Sequence, residues 1–166
     1  MRKTLLSVEA AVVRLEEAIV FATLALLVVA LALQVASRFA LQFPLDWTEE
    51  FARAGQVWLV FIGAAVGARR AEHFVVELFM ERVAFPGKRF VARLVDVIVV
   101  GTFCFLAGIA VQTTSAGAGQ TMPTLGVSVA WAYAAIPVGC ILMAFHFAMA
   151  WIRPIERRPV GEAVAE

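Results

Sequence analysis

The sequence predicts an all-α integral membrane protein with four transmembrane helices and both termini in the cytoplasm, and three observations lead there. The first is composition: of 166 residues, 62% are hydrophobic and only 16% are charged, a balance outside that of water-soluble globular domains. The second is that the apolar residues gather into four runs, at about 18–41, 47–68, 90–112 and 128–152. Each is near the roughly 20 residues needed to cross about 30 Å of hydrocarbon. The third is where the basic residues fall. Arg2, Lys3 and Arg14 precede the first run, Arg69, Arg70, Arg82, Lys88 and Arg89 fill the middle connection, and Arg153, Arg157 and Arg158 follow the last. The other two connections carry almost none, so the positive-inside rule assigns both ends and the middle connection to the cytoplasm. Four spans use most of the chain and leave a single integral membrane domain, 1–166. A net charge of +1 gives no reason to expect nucleic acid as a partner; the lipid bilayer is the expected surroundings.

Met1-Arg2-Lys3 has the look of a secretory signal opening, but Glu9, Arg14, Glu16 and Glu17 interrupt any short apolar core. The expectation is an uncleaved first helix. Leu5, Val8, Val12 and Leu15 recur at helical spacing, with Glu9, Arg14 and Glu16 largely elsewhere around the wheel. That pattern fits an amphipathic segment lying on the cytoplasmic surface, or a plain extension of the first span. Cys104 and Cys140 fall inside spans and form no Cys-x-x-Cys pair, so they are read as packing residues.

The first span ends near Arg38, and a short connection with Pro44 leads to the second. Asp46 or Thr48 is a candidate N-cap, and Asp46 with Glu49 approximates a capping box. Glu49 and Glu50 would lie in the first turn, where the helix dipole favours negative charge by about 0.3–1 kcal/mol. Arg53 gains nothing from that dipole. Its spacing of four from Glu49 and three from Glu50 sets it beside both, and Arg38 arrives at the same membrane face as a second cation. Charge at bilayer depth costs about 2.5–3.5 kcal/mol on insertion scales and must pair, face protein or sit at the interface. Trp47, Glu49, Glu50 and Arg53 with Arg38 therefore form an expected charge network at the outer interface that serves assembly or docking. Deeper in the span, Gly63-Ala64-Ala65-Val66-Gly67 is a small-x-x-x-small pattern that permits close helix approach.

After Arg69-Arg70, the stretch Glu72 to Val83 sets Phe74, Val75, Leu78 and Phe79 against His73, Glu77 and Glu81, which resembles an interfacial helix. Pro86-Gly87 supplies a break before the third span. There, Arg93 and Asp96 lie on one face, and Glu16 and Glu17 at the base of the first span could meet Arg93. A cytoplasmic ion-pair cluster of Glu16, Glu17, Arg93 and Asp96 is expected, with a proton or ion pathway as the alternative. The outer connection Thr113 to Val127 has no charge, and its small residues and Pro123 suit a compact turn that a partner contacts closely. Trp131, Tyr133 and Trp151 occupy interfacial positions of the last span. Pro137 and Gly139 should bend that span or fit a neighbour, and His146 reads as a hydrogen-bonded packing residue.

Several chemistries lack their residues. There is no phosphate-cradling glycine loop followed by Lys, no zinc-ligand cluster and no Ser, His and Asp set in motif context. Haem ligation needs facing histidines, and only His73 and His146 exist. No cofactor, metal or catalytic residue is expected, and the chain is not read as an enzyme. A complete secondary transporter would show an internal repeat or paired Gly/Pro-interrupted spans. A small proton-coupled exporter is the runner-up, although its coupling carboxylate belongs near the midplane; an anchor subunit of a membrane oxidoreductase comes next.

Trp47-x-Glu49-Glu50-x-x-Arg53 with Trp58 and Gly63-Ala64-Ala65, then Arg69-Arg70 and His73-Phe74-Val75-Val76-Glu77, closely resemble the small membrane subunit of tripartite ATP-independent periplasmic (TRAP) transporters. Met122-Pro123-Thr124-Leu125-Gly126, followed by Trp131, Tyr133, Ile136 and Pro137-Val138-Gly139, is similar to that family's outer connection and last helix. Ser128 stands where many members have proline. The resemblance runs from about Leu15 to Arg153. It implies a small permease subunit in the bacterial inner membrane, paired with a much larger membrane subunit that holds the substrate and sodium sites and moves by an elevator-like motion. It further implies transient docking of a periplasmic binding protein that captures an organic acid. On that reading the small subunit is scaffold: Arg38, Trp47, Glu49, Glu50, Arg53, Trp58, Gly63 and Gly67 serve subunit contact, and Asp46, Gln120, Thr121, Pro123 and Thr124 help receive the binding protein.

Overall fold

A computed structural model describes residues 2–43, 45–82 and 88–150, with side chains over 4–40, 42–43, 45–69, 90–91 and 93–149. The described chain is helical almost throughout: α1 (Arg2–Ala36), α2 (Asp46–Arg82), α3 (Lys88–Ala116), α4 (Ala130–Tyr133) and α5 (Ala135–Ala150). Four helical stretches are long and apolar enough to cross a membrane, Thr4–Ala40, Asp46–Arg69, Arg93–Gly119 and Ala130–Met149. Each overlaps one of the four runs read from the sequence, although the first begins at Thr4, well ahead of the expected start near 18.

Helix ends follow local chemistry. α1 runs into a π turn, Ser37–Leu41, and stops at Gln42, whose φ of 53° takes the chain out of the helix. α2 opens where Thr48, fully buried, turns its hydroxyl and its N–H back to the Leu45 carbonyl, at 2.6 and 3.2 Å. The expected capping box does not form, because the Glu49 carboxylate goes to Arg53 instead. The last span is divided at Ala134, between α4 and α5. Pro137 has no N–H to offer the carbonyl four residues back, and its ring crowds that turn.

The helices lie side by side in an open order. α2 packs against α1 and α5, α5 packs also against α3, and α1 and α3 occupy opposite flanks. The core sits where α2, α5 and α3 meet, around Ala65, Ala107, Cys140 and Met143, with Phe61, Phe103 and Ile136 against them. Phe103 stacks on Phe147 with ring centroids 5.9 Å apart. Close approach of α2 and α5 depends on Gly139: a Cβ there would meet Phe61 Cβ at 2.7 Å and its carbonyl oxygen at 3.0 Å. Gly55 similarly admits Leu27 of α1.

Two sequence expectations change. The first 17 residues do not turn aside as a separate surface segment, because α1 is one unbroken helix of 35 residues. Its wheel is also the reverse of a soluble amphipathic helix. Glu9 and Glu16 are buried, while Leu5, Val8 and Leu15 are exposed. The residues Glu9, Val13, Glu16, Leu27, Ala30 and Ser37 form one buried stripe at intervals compatible with a single helix face. α2 likewise has no break after Arg69 and continues as helix to Arg82, 37 residues in all. At 1.5 Å per residue that is about 55 Å, well beyond the hydrocarbon thickness. The side chains of the expected interfacial face, His73 to Glu81, lie outside the described side chains, and Pro86, Gly87, Trp151, Arg153, Arg157 and Arg158 lie outside the described residues.

Candidate functional site

The polar chemistry collects at the two ends of the molecule, and one end is built around the start of α2. There the chain between α3 and α4 folds into a small hairpin. The Met122 N–H donates to the Val127 carbonyl, the Gly126 N–H to that of Met122 and the Val129 N–H to that of Gln120, each at 2.8 Å. Thr121 and Ser128 pair across it. Gly126, at φ +66°, takes the left-handed conformation that closes the turn. Ser128 receives the Ala130 N–H on its hydroxyl at 3.2 Å, and so serves the start of α4. Gln120, Thr121, Pro123 and Thr124 are exposed on this hairpin, as is Asp46 beside the first turn of α2.

The two adjacent carboxylates of α2 have separate tasks. Glu49 holds Arg53 through a 2.9 Å ion pair between exposed side chains. Glu50 turns the other way, and its Oε2 accepts from the backbone N–H groups of Thr124 and Leu125, both at 3.0 Å. Sequence spacing had offered Arg53 both acids, but a contact 74 residues away has no local signature. Arg38 is exposed in the π turn and makes no ion pair with Asp46, Glu49 or Glu50. Trp47 meets Phe51 edge-on. Two turns further along, Trp58 donates its indole N–H to the Trp131 carbonyl at 3.1 Å, with the two indole rings 5.5 Å apart.

Below this end, α2 presents a face that no other described helix covers. Glu49, Arg53, Gln56, Val60, Ala64 and Gly67 are exposed at intervals of three or four residues. A Cβ built on Gly63 or Gly67 would meet nothing within 4 Å. Gly63 and Gly67 therefore do not bring this chain's own helices together, although Ala65 between them sits in the core; Gly55 and Gly139 provide the close approaches.

At the opposite end, α1 is tied across the row by its buried acids. His146, fully buried on α5, has Nε2 3.0 and 2.9 Å from the two carboxylate oxygens of Glu16. Among the described residues its buried Nδ1 has no hydrogen-bond partner. Arg69 of α2 lies 3.8 Å from the buried Glu9. The expected cluster of Glu16, Glu17, Arg93 and Asp96 is arranged differently: Arg93 is exposed and forms no ion pair with the other three. Glu9 and the Glu16–His146 contact escaped the sequence reading. Their signal was the regular recurrence of Glu9, Val13 and Glu16 in register with small residues further along α1, because in an apolar solvent the polar stripe is the one that turns inward. Among the described residues no group of three His, Cys, Asp or Glu side chains is arranged to hold a metal.

Residues 26–157 match the family model described as "Tripartite ATP-independent periplasmic transporters, DctQ component". The chain belongs to the DctQ family. It is similar to the sialic acid TRAP transporter small permease protein SiaQ of Vibrio cholerae, 25% identical over 132 residues that cover 80% of this chain and 76% of that one. It is also similar to the C4-dicarboxylate TRAP transporter small permease protein DctQ of Rhodobacter capsulatus, 31% identical over 62% of this chain and 46% of that one. A third relative is of another size: the sialic acid TRAP transporter permease protein SiaT of Haemophilus influenzae is 27% identical over 70% of this chain but only 19% of its own length. Membership makes this DctQ-family chain a TRAP transporter small permease subunit, a multi-pass inner-membrane protein and not an enzyme. The matched stretch includes Arg53, Glu50, Arg69 and His146, but Glu9 and Glu16 lie ahead of it.

Proposed function

We propose that this subunit braces a larger membrane subunit in sodium-coupled, binding-protein-dependent uptake of an organic acid. The observation that carries the reading is the uncovered face of α2, where the Glu49–Arg53 pair, Gln56 and the open Gly63 and Gly67 line up on one side. An exposed ion pair of this spacing contributes about 0.3–0.5 kcal/mol to its own helix, too little to explain two charges at the rim of a span. Small residues with empty space before them suit the close backbone approach by which membrane helices associate. A helix of the large subunit fits both requirements. The SiaT relative supports this, since a stretch similar to this chain forms a minor part of a much longer permease. Both named substrates of the relatives, sialic acid and a C4-dicarboxylate, carry carboxylate groups, which favours an organic acid here. Sodium coupling follows from the resemblance alone.

In this arrangement both chain ends face the cytoplasm and the hairpin 120–129 faces the periplasm, where Asp46, Gln120, Thr121, Pro123 and Thr124 help receive the soluble binding protein. Replacing Arg53 by Ala or Glu and measuring copurification of the large subunit together with solute uptake tests the brace. The expected result is reduced recovery of the large subunit, more severe for Glu, with uptake falling in parallel. Unchanged assembly and uptake would refute the role of α2.

A further inference from the structure

The turn 123–126 owes its attachment to one side chain from another element. Among the described residues, the hydrogen bonds that leave the stretch 121–127 all go to Glu50, which collects the Thr124 and Leu125 N–H groups on a single oxygen. The remaining bonds of that stretch close the hairpin upon itself. A carboxylate accepting two backbone amides makes charge-assisted bonds, roughly twice as strong as neutral ones. It also places them with direction, because both amides must point at one atom. The turn itself carries no charge, and Pro123 and Thr124 are exposed at its tip.

Glu50 is thus set between two surfaces. It belongs to α2, whose uncovered face begins one residue earlier at Glu49, and its carboxylate holds a turn formed 74 residues later in the chain. Resting on the reading that the large subunit lies against α2 and the binding protein meets the hairpin, we infer that Glu50 is a positioning residue for docking. It presets the turn and registers it to α2, so that the surface met by the binding protein has a fixed place relative to the large subunit. Glu49, its neighbour, has no such part, because its carboxylate is turned toward Arg53.

The test uses the complete two-subunit transporter in proteoliposomes, with uptake measured against binding-protein concentration, and amide exchange followed at Thr124 and Leu125. Glu50→Ala is expected to free both amides to exchange and to raise the apparent KM for binding protein on the order of tenfold. Per assembled transporter, the change falls on KM and not on the maximal rate at saturating binding protein. Glu50→Gln, which keeps a carbonyl oxygen at the same reach, should recover much of the protection and of the KM. If Glu50→Ala prevents assembly, Glu50→Asp carries the same test, since it retains the charge on a side chain too short for the amides. Unchanged exchange at Thr124 and Leu125 overturns the anchoring by Glu50. Increased exchange with an unchanged KM overturns the positioning role. Cysteine crosslinking from Thr124 to the binding protein separates these two failures, since loss of adducts tells against docking on the hairpin whatever Glu50 does.

Discussion

His146 and Glu16 meet where no water reaches, and the arithmetic of such a contact is lopsided. A net hydrogen bond contributes about 0.5–1.5 kcal/mol, whereas leaving one buried partner unmatched costs about 1–3 kcal/mol, more when it is charged. Glu16→Ala and His146→Ala should each lower the detergent-solubilised unfolding midpoint. The double variant should lose less than the sum, with a coupling of about 0.5–3 kcal/mol in a thermal-shift cycle. Simple additivity would show that the 2.9 Å contact carries no energy. At the same scale, Gly139→Ala drives a methyl group into Phe61, and overpacking of this kind costs about 1–3 kcal/mol. Gly67→Ala, with open space before it, should leave the isolated subunit unchanged and weaken only its recovery with the large subunit. Thermal stability of the free chain and copurification distinguish the two glycines.

Among the elements, α1 is the one whose exterior and interior are exchanged relative to a water-soluble helix. Leu5, Val8 and Leu15 face outward, with Arg14 and Glu17 among them, while Glu9 and Glu16 face in, an arrangement that suits the edge of an apolar layer, where long charged side chains reach back to water. Single cysteines at Val8 and Leu15 should therefore react slowly with a membrane-impermeant maleimide in proteoliposomes and readily with a lipophilic one. Rapid labelling by the impermeant reagent would place this turn of α1 in water. The same exchange explains why its geometry was hard to read beforehand. The periodicity of Leu5, Val8, Val12 and Leu15 was real, but period alone does not say which side of a helix is solvent; that depends on what the solvent is. For α2 the lapse was of another kind. Arg69-Arg70 reads as the edge of the hydrocarbon, but a change of environment is not a change of backbone direction, and the helix continues from Arg69 to Arg82.

For the whole molecule, the four spans were legible because apolar length and basic flanks are local properties of the chain. The helix order was not, since α2, α5 and α3 meet through Phe61, Gly139, Ala107 and Met143, contacts distant in sequence and made by residues common in any span. The same holds for the candidate site: Glu49 with Arg53 is an i, i+4 pair and could be foreseen, while Glu50 with Thr124 and Glu16 with His146 required the fold. Burial within the subunit is uneven as well. Half of the most apolar stretch of the last span, Ala130–Met149, is buried, against 11% for those of the first and third spans, so the last span depends on its own chain and the flanks depend on their surroundings.

The open ordering of α1, α2, α5 and α3 has a consequence for motion in the bilayer. Four helices in single file at the usual spacing of 8–10 Å reach about 35 Å from flank to flank, whereas the same four in a square reach about 20 Å. If the large subunit lies along one side of it, as proposed above, such a blade would act as an outrigger, lengthening the lever against which lipid resists rocking of the frame for very little added mass.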